Sequence, residues 1–227
     1  MKQNISLIFL LVIIFVGANS IFIINETEQA VVTQFGKPIG GAITDAGLHF
    51  KIPIIQTVIK FDKRILEWDG AANEIPTLDN KYIFIDAFAR WKISDALQFY
   101  KSAKNEVLAQ SLLDDILDGA VRDEIANRTM VEIIRSTDRS MWIPDVESSS
   151  MNIAEEEIIS IQGARLEIVN SIFTSVKNRL IDLNMGIEIL DVHLKRINYN
   201  QTVQEQVFNR MISGQNQIAE KYRAQGQ

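Results

Sequence analysis

The sequence predicts an α+β domain that follows an N-terminal transmembrane helix and precedes an extended C-terminal helix. Three observations support this fold class. An uncharged apolar run covers residues 5–24, every second residue from 83 to 93 is apolar, and residues 202–224 carry apolar side chains at spacings of three and four. The first pattern is typical of a membrane span, the second of a half-buried strand and the third of a helix. The predicted boundaries are 1–25 for the anchor with a short cytoplasmic N-terminus, 26–198 for the domain and 199–227 for the last helix.

The apolar run Ile5–Ile24 is long enough to cross a bilayer. Twenty helical residues at about 1.5 Å each extend about 30 Å, which is the thickness of the hydrocarbon layer. Lys2 precedes the run, and Glu26 and Glu28 follow it. The positive-inside rule then places the N-terminus in the cytoplasm and the main domain outside, in the periplasm if the source is a bacterium. Because Ala18-Asn19-Ser20 also fits a cleavage site, a removed secretory signal is the alternative, and it exports the domain equally.

The composition argues against several classes of function. The formal charge is −6, from 23 basic and 29 acidic residues, and no strongly basic block occurs. Nucleic-acid backbones are bound by clustered Lys and Arg, so a nucleic-acid partner is not expected. The chain has no cysteine, which excludes disulfides, thiolate metal sites and a cysteine nucleophile.

The first half of the domain is predicted to be β-structure. The expected strands cover residues 29–35, 48–52, 57–61, 64–68 and 81–93. We expect the first two to form a hairpin near the membrane, with Leu48, Phe50 and Ile52 buried and His49 and Lys51 facing solvent. The apolar tip Ile52–Ile55 is predicted either to touch the bilayer surface or to pack against the domain. The strand over residues 81–93 is predicted to be central, with six residues facing the core: Ile83, Ile85, Ala87, Ala89, Trp91 and Ile93.

The second half is predicted to be mainly helical. Ser94-Asp95 can cap a short helix over residues 96–103, and a longer one over 107–126 has Leu108, Leu112, Ile116, Ala120 and Val121 on one stripe. A short helix or turn over 129–135 is expected to turn Val131 and Ile134 inward, and residues 140–152 are predicted to be a loop. The main helix is predicted over 154–184, with an apolar stripe: Ile158, Ile161, Ile168, Ile172, Val176, Leu180 and Leu183.

Gly186 is predicted to end the main helix in a left-handed cap. A final strand is expected over residues 187–196, with Leu190, Val192 and Leu194 on one face. The last helix has a stripe of Val203, Val207, Met211, Ile218 and Tyr222, with Gly214 among them. This spacing favours a coiled-coil seam rather than a globular face.

Three blocks of sequence carry a family resemblance. The first is KYIFIDAFARWKISD at residues 81–95, the second is GIEILDVHLKRIN at 186–198, and the third covers 203–226. The first block resembles the band 7, or SPFH, family, whose members include stomatin, prohibitin, flotillin and the bacterial HflK and HflC proteins. Together with the N-terminal anchor, the three blocks most resemble the HflC members, over nearly the whole chain.

The resemblance implies a single-pass protein of the bacterial inner membrane with a periplasmic domain. It also implies a hetero-oligomer with an HflK-like paralogue, in a ring or cage that surrounds the membrane-bound ATP-dependent protease FtsH and limits its access to membrane substrates. Such a subunit is a non-catalytic regulator. A second hypothesis is a stomatin-like protein that organises lipid microdomains, with membrane lipid as its partner.

Two departures from the family pattern concern the C-terminal helix. Family members usually continue as a longer coiled coil beyond the position of Gln227, and Gly214-Gln215 stands where they typically carry a Glu-Arg pair. Glycine in an exposed helix costs about 0.5–1 kcal/mol relative to alanine. Both departures are expected to weaken cage closure through these helices.

No residue cluster predicts a catalytic, cofactor or metal site. His49 and His193 fall on the polar phases of two separate strands, where a solvent-facing position is expected. Ser148-Ser149-Ser150 is the basis of a third hypothesis, a serine hydrolase, but it lacks the surrounding motif that would activate a nucleophile. Glu155-Glu156-Glu157 is explained by the favourable helix dipole. Gly40-Gly41 lacks the Lys-Ser/Thr of a phosphate-binding loop.

Overall fold

The computed structural model describes residues 17–135 and 164–225, and it combines antiparallel sheets with helices, so the predicted α+β class is confirmed. The strands in chain order are β1 (Ile21–Ile24), β2 (Glu28–Gln34), β3 (Lys37–Pro38), β4 (Gly47–Phe50), β5 (Gln56–Asp62), β6 (Leu66–Asp69), β7 (Asn73–Pro76), β8 (Tyr82–Ile93) and β9 (Ile187–Tyr199). The helices are α1 (Ala96–Ser102), α2 (Glu106–Ala126), α3 (Met130–Ile134), α4 (Arg165–Asp182) and α5 (Gln201–Gln225).

The apolar N-terminal run changes from helix to strand at Ile21. Residues 17–19 are helical, whereas Ile21–Ile24 form β1 and pair with β4. The prediction that the membrane helix continues to Ile24 is therefore wrong, and the β-branched isoleucines of this segment favour the strand. Residues 5–16 of the predicted anchor lie outside the described residues. Within residues 17–135 and 164–225, no helix has the length and apolar character needed to cross a membrane.

The strands form three sheets. β1 pairs with β4, β2 lies between β3 and β5, and β8 pairs with β6, β7 and β9. The predicted hairpin between the strands of residues 29–35 and 48–52 is wrong, since β2 pairs along its whole length with β5, from Glu28 opposite Asp62 to Gln34 opposite Gln56. The seven-residue match with β5 leaves β4 to pair with the apolar β1.

Strand β8 agrees with the sequence in every residue of its inner face. Ile83, Ile85, Ala87, Ala89, Trp91 and Ile93 are all buried, and the intervening residues are exposed or half-buried. Period-two alternation needs no knowledge of the partner strands, which is why it predicted this element well.

The described residues divide into two compact units. Unit one comprises residues 17–68, 89–115 and 176–191, and unit two comprises residues 69–88, 116–135, 164–175 and 192–225. Four elements, β8, α2, α4 and β9, contribute residues to both units.

The core of unit one is built around Phe99 of α1. The Phe99 ring meets Phe61 edge to face at 5.1 Å between centroids and stacks beside Trp91 at 6.5 Å. Asp95 caps α1 as predicted, because its side chain accepts hydrogen bonds from the backbone N–H groups of Leu97 (2.8 Å) and Gln98 (3.1 Å).

In unit two, hydrogen bonds to Asp79 stabilise the turn that precedes β8. Asp79 accepts hydrogen bonds from the Thr77 hydroxyl (2.6 Å) and the Met130 N–H (3.1 Å), and it pairs with Lys81 at 2.6 Å. Burial raises the pKa of Asp79, but these hydrogen bonds and the Lys81 charge lower it further than burial raises it, to below its ordinary value of 3.8. The ionised carboxylate therefore stabilises the turn fully above pH 3.8. This stabilisation is lost as the pH falls through the lower pKa that Asp79 has in the folded state.

The helices form close to their predicted positions, but two present a different face. In α2 the buried residues are Ala109, Leu113, Ile116, Leu117, Val121 and Ile125. Ile116 and Val121 are buried as predicted and Ala120 is half-buried, but Leu108 and Leu112 are exposed, so the predicted stripe is displaced by one residue in the first half of the helix only. In α3 Ile133 is buried and Ile134 is exposed, while the side chain of Val131 lies outside the described residues. Adjacent apolar residues offer two helical stripes of similar quality, and tertiary packing selects between them.

Helix α4 and strand β9 agree in part with the sequence. Ile168, Ile172, Val176 and Leu180 are buried as predicted, but Leu183 is exposed, and Ile158 and Ile161 lie outside the described residues. In β9 Val192 and Leu194 are buried as predicted, whereas Leu190 is only half-buried and the other buried residues are Ile187 and Ile189. The buried positions shift by one residue along the strand, as at a β-bulge, which alternation alone does not anticipate.

The left-handed residue that ends α4 is Asn184, with φ 47°, so the prediction that Gly186 caps this helix is wrong. Gly186 is also left-handed, with φ +69°, but it lies beyond the end of the helix. A Cβ at this position would lie against the carbonyl oxygen of Asp95 and 2.7 Å from the backbone nitrogen of Phe99. We expect Gly186→Ala to lower the free energy of unfolding by at least about 2 kcal/mol, because it combines an unfavourable φ with a backbone clash. Circular dichroism during urea unfolding of the detergent-purified chain measures this change.

Gly214→Ala is the matched control, since a Cβ at Gly214 meets no atom within 4 Å. In the middle of α5 this change is expected to leave stability unchanged or to raise it by up to about 1 kcal/mol. Equal unfolding midpoints for the two variants would contradict the role of Gly186.

Candidate functional site

The candidate site is an exposed apolar surface in unit one, formed by β1 and β4. In the register of these strands, Ile21 lies opposite Phe50 and Ile23 lies opposite Leu48. Residues opposite each other in an antiparallel pair share one face. The four side chains therefore form one apolar face, which we call the apolar ribbon.

The apolar ribbon is uncovered along its length. Phe50 is 72% exposed, and Ile21, Ile23 and Leu48 are exposed as well. The opposite face is more covered, since Ile24 is buried and Phe22 and His49 are half-buried. The sequence predicted the reverse for β4, with Leu48 and Phe50 inside and His49 outside, and this prediction is wrong. The alternation is present, but the apolar phase of the strand faces outward.

The tip that follows β4 continues the exposed apolar character. Ile54 is 94% exposed, and Ile52 and Ile55 are exposed too, so the alternative in which this tip packs against the domain is not supported. The backbone N–H of Ile52 donates to the Gln56 side chain (2.7 Å), and the Gln56 N–H donates to the Ile52 carbonyl (3.0 Å). These two bonds close the tip.

Ile54 has a positive φ of 70°, which is unusual for a β-branched residue. This conformation costs about 1–2 kcal/mol relative to a right-handed one. If the tip faced only water, a residue that adopts a positive φ without strain could replace Ile54 at no loss of stability. The strain therefore points to a function for the apolar tip.

Two ion pairs in unit one involve residues that follow β1 in the sequence. Glu28 accepts a hydrogen bond from Lys60 at 2.7 Å, which, with further bonds from Asn25, holds the pKa of Glu28 below its usual value of 4.5. Lys63 lies 3.7 Å from Glu26. The exposed side chains of the ribbon and its tip are apolar. Burying these seven exposed Ile, Leu and Phe side chains in hydrocarbon is worth about 10 kcal/mol in total.

Among the polar candidates, the structure describes His49, His193 and Gly40-Gly41. His49 is half-buried, whereas a solvent-facing position was predicted. Its Nε2 lies 2.8 Å from the Asp45 carbonyl oxygen, and its ring lies 5.7 Å from the Phe22 ring. His193 is exposed as predicted. Gly40 is in a left-handed conformation with φ +74°. Ser148-Ser149-Ser150 and Glu155-Glu156-Glu157 lie outside the described residues. In the part of the chain that the structure describes, no group of three His, Cys, Asp or Glu side chains could hold a metal ion.

Comparison with known proteins gives a consistent family. Residues 22–227 match the family described as SPFH domain / Band 7 family. The chain is 37% identical to Protein HflC of Borreliella burgdorferi over 214 residues and 32% identical to Protein HflC of Treponema pallidum over 215 residues. Each alignment covers 91% of this chain but only 64% of the relative's own length. The Modulator of FtsH protease HflC of Escherichia coli K12 is 28% identical over 244 residues, which is 100% of this chain and 73% of that protein.

The exposure of Ile54 generates a test of membrane contact that uses the absence of cysteine from the chain. We expect a fluorophore attached to an Ile54→Cys variant in lipid nanodiscs to be quenched by doxyl-labelled acyl chains and protected from aqueous iodide. The physical reason is the transfer of the apolar tip into hydrocarbon.

Val107→Cys is the control, because Val107 is also exposed and belongs to the same unit, but it follows Glu106, whose side chain accepts from the Asp62 N–H at the end of β5 opposite the tip. Its fluorophore should be quenched by iodide alone. Equal access of iodide to both labels would show that the tip stays in water.

Proposed function

The chain belongs to the SPFH domain, or Band 7, family, and from this membership we propose that it is a membrane-anchored scaffold subunit of an HflK/HflC-type complex. The complex modulates an FtsH-type membrane protease by enclosing it sterically. The observation that carries the proposal is the match of residues 22–227 to the family, together with the FtsH-modulator name of the Escherichia coli relative.

The proposed location is the bacterial inner membrane, with the N-terminus in the cytoplasm and the domain in the periplasm. The apolar run of residues 5–16 leads into β1, so the chain would leave the membrane beside the apolar ribbon. The exposed side chains of Phe50 and Ile54 support a domain that lies on the lipid surface. Two attachments, an anchor and an apolar face, hold a subunit at a fixed height and orientation, which a wall of subunits requires.

The proposed mode of action is assembly rather than catalysis. Among the described residues, the hydroxyls of Ser94 and Ser102 donate to the carbonyl oxygens of Gly186 and Met185, both at 3.1 Å. A nucleophilic serine needs a base as its partner instead. This bonding supports a structural role for these serines. A wall of subunits would restrict which membrane substrates reach the protease.

The proposed partners are an HflK-like paralogue, an FtsH-type protease and membrane lipid. A second candidate function, a stomatin-like organiser of lipid microdomains, is favoured by one observation, the exposed apolar ribbon of β1 and β4. The two functions differ in whether a protease accompanies the protein.

Affinity purification from detergent-solubilised membranes tests the proposed function. We expect the tagged chain to retain an HflK-like protein and an FtsH-type protease in a particle far larger than the 25.7 kDa chain. Mass spectrometry identifies the partners, and light scattering gives the particle mass. A tagged, unrelated single-pass protein is the control.

A small particle without a protease would contradict the enclosure. Lipid-dependent clustering of such a particle in reconstituted membranes would favour the lipid-organising function instead.

A further inference from the structure

A second apolar turn lies next to the tip of residues 52–55. Gln34, the last residue of β2, lies opposite Gln56, the first residue of β5. Phe35 follows Gln34 and Ile55 precedes Gln56, so both leave the sheet at the same end, on neighbouring strands about 4.8 Å apart. This register places the turn between β2 and β3 beside the apolar tip.

Phe35 combines exposure and backbone strain in the same way as Ile54. It is 84% exposed and has a φ of 49°, and Gly36 after it has a φ of 78°. A two-residue turn with two positive φ angles favours Asn-Gly, because asparagine adopts this conformation more readily than phenylalanine does. The Tyr100 hydroxyl donates to the Gly36 carbonyl oxygen at 3.1 Å and holds the turn in place. Because an exposed aromatic ring gains nothing from water, the strain indicates an apolar environment for Phe35.

The N-terminal segment joins the domain at the same end. Ile21, the first residue of β1, lies opposite Phe50, the last residue of β4, and the tip follows soon after Phe50. The carbonyl oxygen of Ser20, just before β1, accepts a hydrogen bond from the Lys51 N–H at 2.7 Å. The start of β1, the tip and the Phe35 turn therefore share one end of unit one, which we call the tip end.

The charged residues at the two ends of this sheet differ. Lys37 is exposed opposite Gln34, and Lys51 is half-buried directly before the tip, and neither forms an ion pair with another described residue. Glu28 and Asp62 lie opposite each other at the far end of β2 and β5. The length of β2 separates the two ends by about 20 Å, and the Debye length in physiological salt is about 8 Å. An anionic surface at the tip end is therefore attracted by the two lysines, although the formal charge of the whole chain is −6.

We propose that the tip end of unit one binds anionic phospholipids. In this arrangement Phe35 and Ile54 enter the acyl layer, and the ammonium groups of Lys37 and Lys51 pair with the phosphates of the headgroups. The charge complementarity identifies the occupant as an anionic bilayer surface, since a zwitterionic surface has no net charge to attract the lysines. The inference rests on the membrane location in the proposed function, and it adds the class of lipid and the second turn.

Nanodiscs of two lipid compositions test this selectivity. In the full chain, the fluorophore on Ile54→Cys gives the ratio of lipid-quenched to iodide-quenched label, in phosphatidylcholine alone and with phosphatidylglycerol added. We expect a higher ratio in the anionic nanodiscs, and a fall of about fivefold there at low salt with each of Lys37→Gln and Lys51→Gln, because one basic side chain near an anionic surface contributes about this factor. Neither variant should change the ratio in neutral nanodiscs. Lys63→Gln is the control and should have no effect, since Lys63 lies just beyond the far end of the sheet, beside Glu26.

Phe35→Asn separates the role of the ring from the stability of the turn. Asparagine suits the positive φ, so the urea midpoint of this variant should be unchanged or higher, whereas lipid quenching should fall in both compositions. Equal ratios for the Ile54→Cys chain in the two compositions, or lysine variants that leave the ratio in anionic nanodiscs unchanged, would overturn the proposal. Absence of lipid quenching in both compositions would overturn the membrane contact itself, and protease capture is measured separately.

Discussion

The burial of one face of β8 is the constraint on which the rest of the fold depends. Six residues of this strand, from Ile83 to Ile93, lie in the core, and its edges pair with β6, β7 and β9. The strand contributes to both compact units, so a shift of its register by one residue would turn both cores outward. Trp91 and its neighbour Phe99 extend this core to α1, and Gly186 allows the backbone of β9 to approach the start of that helix.

Sequence reasoning succeeded where a residue's environment is set by its own local pattern. The inner face of β8 and the Asp95 cap are such cases. It failed where two patterns compete, as in α2, in which Leu113 rather than Leu112 is buried. It failed again at β4, because alternation shows that a strand has two phases but not which phase faces the core. Leu48 and Phe50 alternate as expected but face outward, and the pairing with Ile21 and Ile23 could not be read from spacing. The one-residue shift of the buried positions in β9 also departs from simple alternation.

The exposed apolar ribbon is the surface on which the proposed membrane contact rests. It continues into a tip with a strained, exposed isoleucine, which suits a lipid surface. Family membership connects this surface to the membrane scaffold that we propose. In that proposal the subunit acts through its position on the membrane and through its neighbours.

The most direct test of steric enclosure is the degradation of two substrates by an FtsH-type protease in proteoliposomes. The rates are compared with and without this chain and its HflK-like paralogue, for one substrate embedded in the membrane and one that is soluble. The account predicts that the scaffold slows degradation of the membrane substrate and leaves the soluble one unchanged, because a wall blocks lateral entry only. Equal slowing of both substrates would indicate direct inhibition of the protease and would contradict the account.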